Sequence, residues 1–239
     1  MKISSKIRPL FDSYKPLLLA AGVLFVMAFT LSCSSDDGGS QDGGDKGNDI
    51  SNYKTVVIGA QTWMAENLNY AVAGSKCNSN DPANCTKYGR LYDWPTAMAL
   101  PSSCNENSCS SQIQPKHRGI CPSGWHIPSN DDWDRLFRFV DSVNDGEGEG
   151  IPYESYTAGK YLKTSDWGGT NKYGFSALPG GNGYSDGSFS YVGDGGYWWS
   201  AHEYSSLSAY YRIMYYSNYG AYWSSYFKSR LFSVRCVQD

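Results

Sequence analysis

The stretch that most constrains the fold is Cys121 to Val140, CPSGWHIPSNDDWDRLFRFV, a cysteine-anchored turn that leads into an amphipathic helix. Ser129 is placed as its N-cap and Asp132 at the third helical position, so the two side chains can satisfy each other's backbone donors. Asp131 and Asp132 also favour the positive end of the helix dipole. Trp133, Leu136, Phe137 and Val140 fall at i, i+3, i+4 and i+7 and make one continuous apolar face. Such a face requires a sheet to cover it, and strand candidates lie on both sides of the helix, the last carrying Cys236.

The N-terminus has the pattern of a targeting signal. Lys2, Lys6, Arg8 and Lys15 precede an uncharged apolar run, Leu17 to Leu31, that ends at Cys33. The run is shorter than the roughly 20 residues of a membrane span. Thr30-Leu31-Ser32-Cys33 resembles a bacterial lipobox, with Thr30 where such motifs usually place Leu. The expectation is a signal over residues 1–33 that leaves Cys33 as the lipidated first residue; the alternatives are an uncleaved anchor or a signal cut nearby. Residues 34–51, SSDDGGSQDGGDKGNDIS, hold one aliphatic side chain, Ile50, and predict a flexible acidic tether. Residues 52–239 are then one domain. Removal of the signal leaves 16 basic against 22 acidic residues, near −6, with no basic patch to suit nucleic acid.

Six cysteines remain, an even number in an exported chain, and three disulfides are the economical expectation. Many pairings are open from sequence alone. Cys77 with Cys85 and Cys104 with Cys109 would each close a small polar loop, which leaves Cys121 to reach Cys236. No cysteine pair has zinc-knuckle spacing and the three histidines lie far apart in sequence, so no metal and no cofactor is expected.

Tyr53 to Ile58 and Gln61 to Met64 read as a hairpin turning at Gly59-Ala60. The first cysteine loop follows. Tyr92 to Leu100 looks like a short helix with Asp93 as cap and Pro95 in its first turn. Ala158 to Lys163 fits one or two helical turns, and from Trp167 onward glycine punctuates short aromatic strands. In the last, Phe232, Val234 and Cys236 alternate with Ser233, Arg235 and Val237, the pattern of a half-buried strand. The sum is an α+β domain with two main helices, short antiparallel strands, long loops and neighbouring termini.

The strings IGAQTWMAENLNY, YGRLYDWPTAMA, CPSGWHIPSNDDWDRL, AGKYLK, GFSALPGG, YWWSA and SVRCVQD, in this order, resemble the Fibrobacter succinogenes major paralogous domain over nearly all of residues 52–239. The resemblance implies a C-type-lectin-like fold of the sulfatase-modifying-factor group. In that group a cysteine near the main helix commonly bonds one on the last strand, matching Cys121 and Cys236. It also implies an exported or surface lipoprotein. No reaction comes with it.

Catalytic readings find little support in the residues. The formylglycine-generating type needs a thiol pair to hold copper, and no cysteine lies between Cys121 and Cys236. The Glu-Pro-Asn, Gln-Pro-Asp and Trp-Asn-Asp strings of calcium-dependent lectins are absent; Asn182, Asp186 and Asp194 read as turn residues. His126 is expected to be buried and hydrogen bonded, and His202 with Glu203 to pair at a loop tip without a nucleophile beside them. The remaining signal is aromatic: residues 184–227 hold eleven Tyr, three Trp and two Phe, far above the chain's 15%. Trp198, Trp199 and Trp223 are assigned to the core, and Tyr184, Tyr204 and Tyr219 to an exposed binding surface. The expected function is a non-enzymatic, lipid-anchored module of the bacterial envelope, at the outer membrane or cell surface, binding a glycan or an envelope protein. The alternatives are a structural envelope component or an enzyme with a formylglycine-generating-type fold.

Overall fold

The computed structural model describes residues 44–144 and 154–239, all within one unit, Ser40–Asp239. The lipobox, Cys33 and most of the acidic segment lie outside the described residues. Residues 44–51, read as tether, are part of the folded unit. Lys46 pairs with Glu66 at 2.6 Å, Ala71 N donates to Asp45 at 2.8 Å, and Tyr53 OH donates to Gly47 O at 2.6 Å. Their composition rules out a core of their own but not hydrogen bonding to an edge the domain supplies.

β1 (Thr55–Ile58) and β2 (Gln61–Met64) form the expected hairpin, with Gly59 at φ +60° in its turn. The first cysteine loop contains a helix that the sequence reading passed over, α1 (Pro82–Tyr88), capped by Asp81 with Pro82 in its first turn. The Asp-Pro start is itself a helix signal. β3 (Leu91–Tyr92) and α2 (Trp94–Ala97) follow, the latter capped by Asp93 through Thr96 N. β4 (Trp125–His126) leads into α3 (Asn130–Asn144).

Ser129 and Asp132 close the capping box from both sides: Asp132 N donates to Ser129 Oγ at 3.0 Å and Ser129 N to Asp132 Oδ2 at 2.9 Å. Trp133, Leu136, Phe137 and Val140 are all buried, each contributing about 1.5–3 kcal/mol of apolar burial. The Trp133 ring lies 4.8 Å from Trp63, 6.2 Å from Phe175 and 6.4 Å from Trp198, so this face packs against both sheets. α4 (Ala158–Leu162) is a single short turn of helix. The expectation of two main helices is thus corrected: among the described residues α3 is the one long helix, and the other three helices there span four to seven residues.

The aromatic region supplies β5 (Gly180–Gly183), β6 (Phe189–Val192), β7 (Gly195–Glu203), β8 (Ser208–Tyr215) and β9 (Tyr222–Phe227). β10 (Phe232–Ser233) and β11 (Val237–Gln238) close the chain. One sheet runs β1-β2-β11-β4; the other runs β3-β10-β7-β5-β6, with β8 between β7 and β9. Pairing is mostly antiparallel, but β5 and β10 both run parallel to β7. The domain is mixed α and β, dominated by sheet.

The last segment also departs from expectation, because it divides between the two sheets instead of forming one half-buried strand. β10 joins the second sheet and β11 the first, with Val234 O accepting from Leu68 N and Cys236 O from Met64 N between them. Residues 230–237 are buried on both sides, since each sheet covers one face of the crossing. The disulfides are Cys77–Cys85, Cys104–Cys109 and Cys121–Cys236, and the last ties the turn before α3 to this crossing.

Candidate functional site

Strand alternation sends neighbouring rings of β7 into separate cores. Trp199 packs beside Tyr211 and Phe232, and donates from Nε1 to Tyr92 O at 2.8 Å. Trp198 packs with the α3 face and donates to Asn67 Oδ1 at 2.8 Å. Both are fully buried, whereas Trp223 is half-buried. It sits on β9, which among the described strands pairs only with β8, so its ring is covered by a neighbour and not by a layer.

That neighbour is Tyr210, 5.4 Å away, which in turn meets the exposed Tyr204 at 5.3 Å. Arg212 stands directly opposite Trp223 in the β8–β9 register, and Tyr210 lies two residues earlier on the same face. With Asn130 these three line a small pocket of about 130 Å³. The Arg212 guanidinium is fully buried; Nη2 donates to Asn130 Oδ1 at 3.2 Å, and Ser200 Oγ donates to the same oxygen at 2.8 Å. The start of α3 therefore meets a run of three rings through an amide and a guanidinium.

The structure does not gather Tyr184, Tyr204 and Tyr219 into one patch. Tyr219 is exposed between β8 and β9, beside Lys160 and Lys163. Tyr184 is half-buried rather than exposed, because the Arg230 guanidinium lies 3.3 Å from its ring centre. Only Tyr204 belongs to the ring cluster.

On the other side of the start of α3, a cleft of about 560 Å³ is lined by His117, His126 and His202, all three histidines of the chain. Their separation in sequence hid this convergence. Each ring is held by its neighbours. His126 is buried with Nδ1 2.8 Å from Asp239 Oδ1 and Nε2 3.2 Å from Asp132 Oδ2. His117 Nδ1 accepts from Gln114 N, and Nε2 donates to Met98 O at 2.7 Å. His202 Nδ1 accepts from Asn130 N at 3.2 Å, which assigns the proton of the neutral ring to Nε2. A metal ion or an abstracted proton needs an unengaged ring lone pair; at His117 and His202 the Nδ1 lone pair already accepts a backbone N–H, and both nitrogens of His126 face carboxylate oxygens. Among the described residues no group of three His, Cys, Asp or Glu side chains could hold a metal.

Burial alone would raise the Asp132 carboxyl, but hydrogen bonds from His126, Ser129 and Arg135 together hold it below the ordinary carboxylate range. Burial pushes His202 below its usual value, only partly opposed by Asp131. His202 and Glu203 do not pair at a loop tip. Both lie in β7, and Glu203 accepts from Lys228 Nζ at 2.7 Å, from Cys109 N at 2.6 Å and from Ser108 Oγ at 2.7 Å. Among the residues read as turns, Asp186 accepts from Ser188 N and Oγ, Asp194 O accepts from Trp167 Nε1, and Asn182 is buried in β5.

In comparison with known proteins, residues 56–238 match the model of the Fibrobacter succinogenes major domain. No curated protein and no solved structure matches the chain.

Proposed function

Because the chain belongs to the Fibrobacter succinogenes major domain family, we propose that it is a lipid-anchored, non-enzymatic binding module of the bacterial envelope that recognises a glycan. The charged start, apolar run and lipobox-like end at Cys33 support the anchor and an address at the outer membrane or cell surface. The Cys121–Cys236 bond, between the turn before the long helix and the terminal segment, supports a C-type-lectin-like arrangement. The Nδ1 lone pairs of His117 and His202, each already accepting a backbone N–H, favour binding over acid-base chemistry at those rings.

The observation that carries the reading is the run Tyr204, Tyr210 and Trp223, ending at Arg212 and Asn130. Aromatic faces stack on the C–H faces of sugar rings, and the phenol and amide groups match hydroxyls. The test is a glycan array probed with the full protein and with a Tyr204→Ala, Tyr210→Ala variant. The expected result is a defined set of glycans that the variant loses by about tenfold or more, the scale of interface hot spots. Equal profiles for the two proteins would sink it. So would an empty array beside an envelope protein captured through the same surface.

A further inference from the structure

A second recess, of about 360 Å³, lies between the β5–β6 turn, the loop over residues 74–80 and the turn Ser102–Asn105. It shares no lining residue with the ring cluster or the histidine cleft. Its size is at the lower end of small-molecule sites, roughly 300–1,000 Å³.

Its polar groups are arranged to accept. Asp93 Oδ1 is engaged at the start of α2 by Thr96 N, and Oδ2 accepts from Asn105 Nδ2 at 3.1 Å. That bond holds the Asp93 carboxylate in the wall, while Asn105 Oδ1 is buried behind it with no partner among the described residues. Asp93 Oδ2 retains acceptor capacity as a carboxylate oxygen. The exposed Lys76 adds a donor at the rim, and Tyr184 and Phe189, both half-buried, add two rings. Arg230 backs Tyr184 at 3.3 Å and lies 4.5 Å from Tyr226, so the Tyr184 ring is held in place.

These groups discriminate among ligands. A wholly apolar ligand would cover the Asp93 carboxylate and leave the remaining acceptor capacity of Oδ2 unused, a cost of about 1–3 kcal/mol. An anion would face the Asp93 carboxylate. A single carboxylate, with the amides of Asn80 and Asn105, offers a cation too little charge. A ligand with hydroxyl donors on its edge and C–H groups on its face meets every requirement. We propose that this recess binds one neutral, hexose-sized monosaccharide unit, with a hydroxyl donating to Asp93 Oδ2, which Asn105 positions, and a ring face against Tyr184 or Phe189. The proposal does not rest on the sheet-face reading, because the two surfaces have no residue in common.

The test is saturation-transfer NMR on the full protein in detergent, with glucose, galactose, mannose and N-acetylglucosamine, and with glucuronate as the charged control. At least one neutral sugar should give a saturable signal. Asn105→Leu and Phe189→Ala, each made in a Tyr204→Ala, Tyr210→Ala background that removes the sheet-face site, should weaken the signal of that background by about tenfold or more. Circular dichroism melts verify that each variant is folded. If Asn105→Leu does not fold, Phe189→Ala and Lys76→Ala decide, and unchanged affinity in both overturns the site. Absence of saturable transfer from all four neutral sugars also overturns it. Binding of glucuronate alone, or binding already lost in the Tyr204 and Tyr210 background, does the same.

Discussion

Arg235 donates from Nη2 and Nε to a single oxygen, Asn67 Oδ1, at 2.7 and 3.1 Å. Arg235 is fully buried and its Nη1 donates to Phe175 O, with the Phe175 ring 4.3 Å from the guanidinium carbon. The same Asn67 oxygen accepts from Trp198, and Asn67 Nδ2 donates to Tyr88 O at 2.8 Å. One amide therefore joins the crossing before β11 to β7 and to the end of α1. Burial pulls Arg235 down to about 9, so the group stays charged at neutral pH. Asn67→Ala strands a buried cation and an indole N–H, and is expected to cost about 3–5 kcal/mol in denaturant unfolding. Arg235→Met, which removes the charge at similar volume, should cost less. A loss under about 1 kcal/mol for Asn67→Ala, the scale of an ordinary hydrogen bond, would refute the hub.

The long-range disulfide should outweigh a local one. Cys121 and Cys236 are 115 residues apart and Cys104 and Cys109 are five apart. The chain-entropy model gives about 5 kcal/mol for the first and about 2 kcal/mol for the second. Unfolding of the Cys121→Ser, Cys236→Ser and Cys104→Ser, Cys109→Ser variants measures the difference, and equal losses would contradict it.

Stability should fall on acidification in two stages. His202 has a folded value below its unfolded value of about 6.5, so the stability linked to its neutral form is complete above that pH and is lost as pH falls through the folded value. Asp132 and Glu203 are likewise depressed, so their contributions are complete above about pH 4.5 and are lost at lower pH. His202→Gln should remove the first stage and Asp132→Asn part of the second. A melting temperature that stays level from about pH 7 to 3 would exclude this linkage.

Surface and core rings should separate cleanly on melting. Tyr204 and Tyr219 are 58% and 54% exposed, and their joint replacement by Ala should leave the melting temperature nearly unchanged. Trp199→Ala should cost about 3–5 kcal/mol. A large loss from the tyrosine pair would assign those rings to the scaffold.

Cys33→Ala should abolish lipidation and move the protein from the detergent phase to the aqueous phase in a partitioning assay. Unchanged processing and partitioning would remove the anchor from the proposed function.

What was legible in the sequence is what neighbouring residues determine between themselves. The Ser129 and Asp132 box, the apolar face of α3, the Gly59 turn and the two short cysteine loops each depend on groups a few positions apart. The α1 helix was written there too, in Asp81-Pro82, beneath a composition that suggested a loop. Alternation could show that neighbouring side chains of β7 and of residues 232–237 point to opposite faces. It carries no information on whether a second layer covers both faces, and here one does. Tertiary structure alone brought His117, His126 and His202 to one cleft, seated Arg230 on Tyr184, left Trp223 on an open edge and aimed Arg235 at Asn67. These relationships follow from strand order and sheet crossing, which are set by the summed burial of groups remote in sequence, and no local periodicity records that sum.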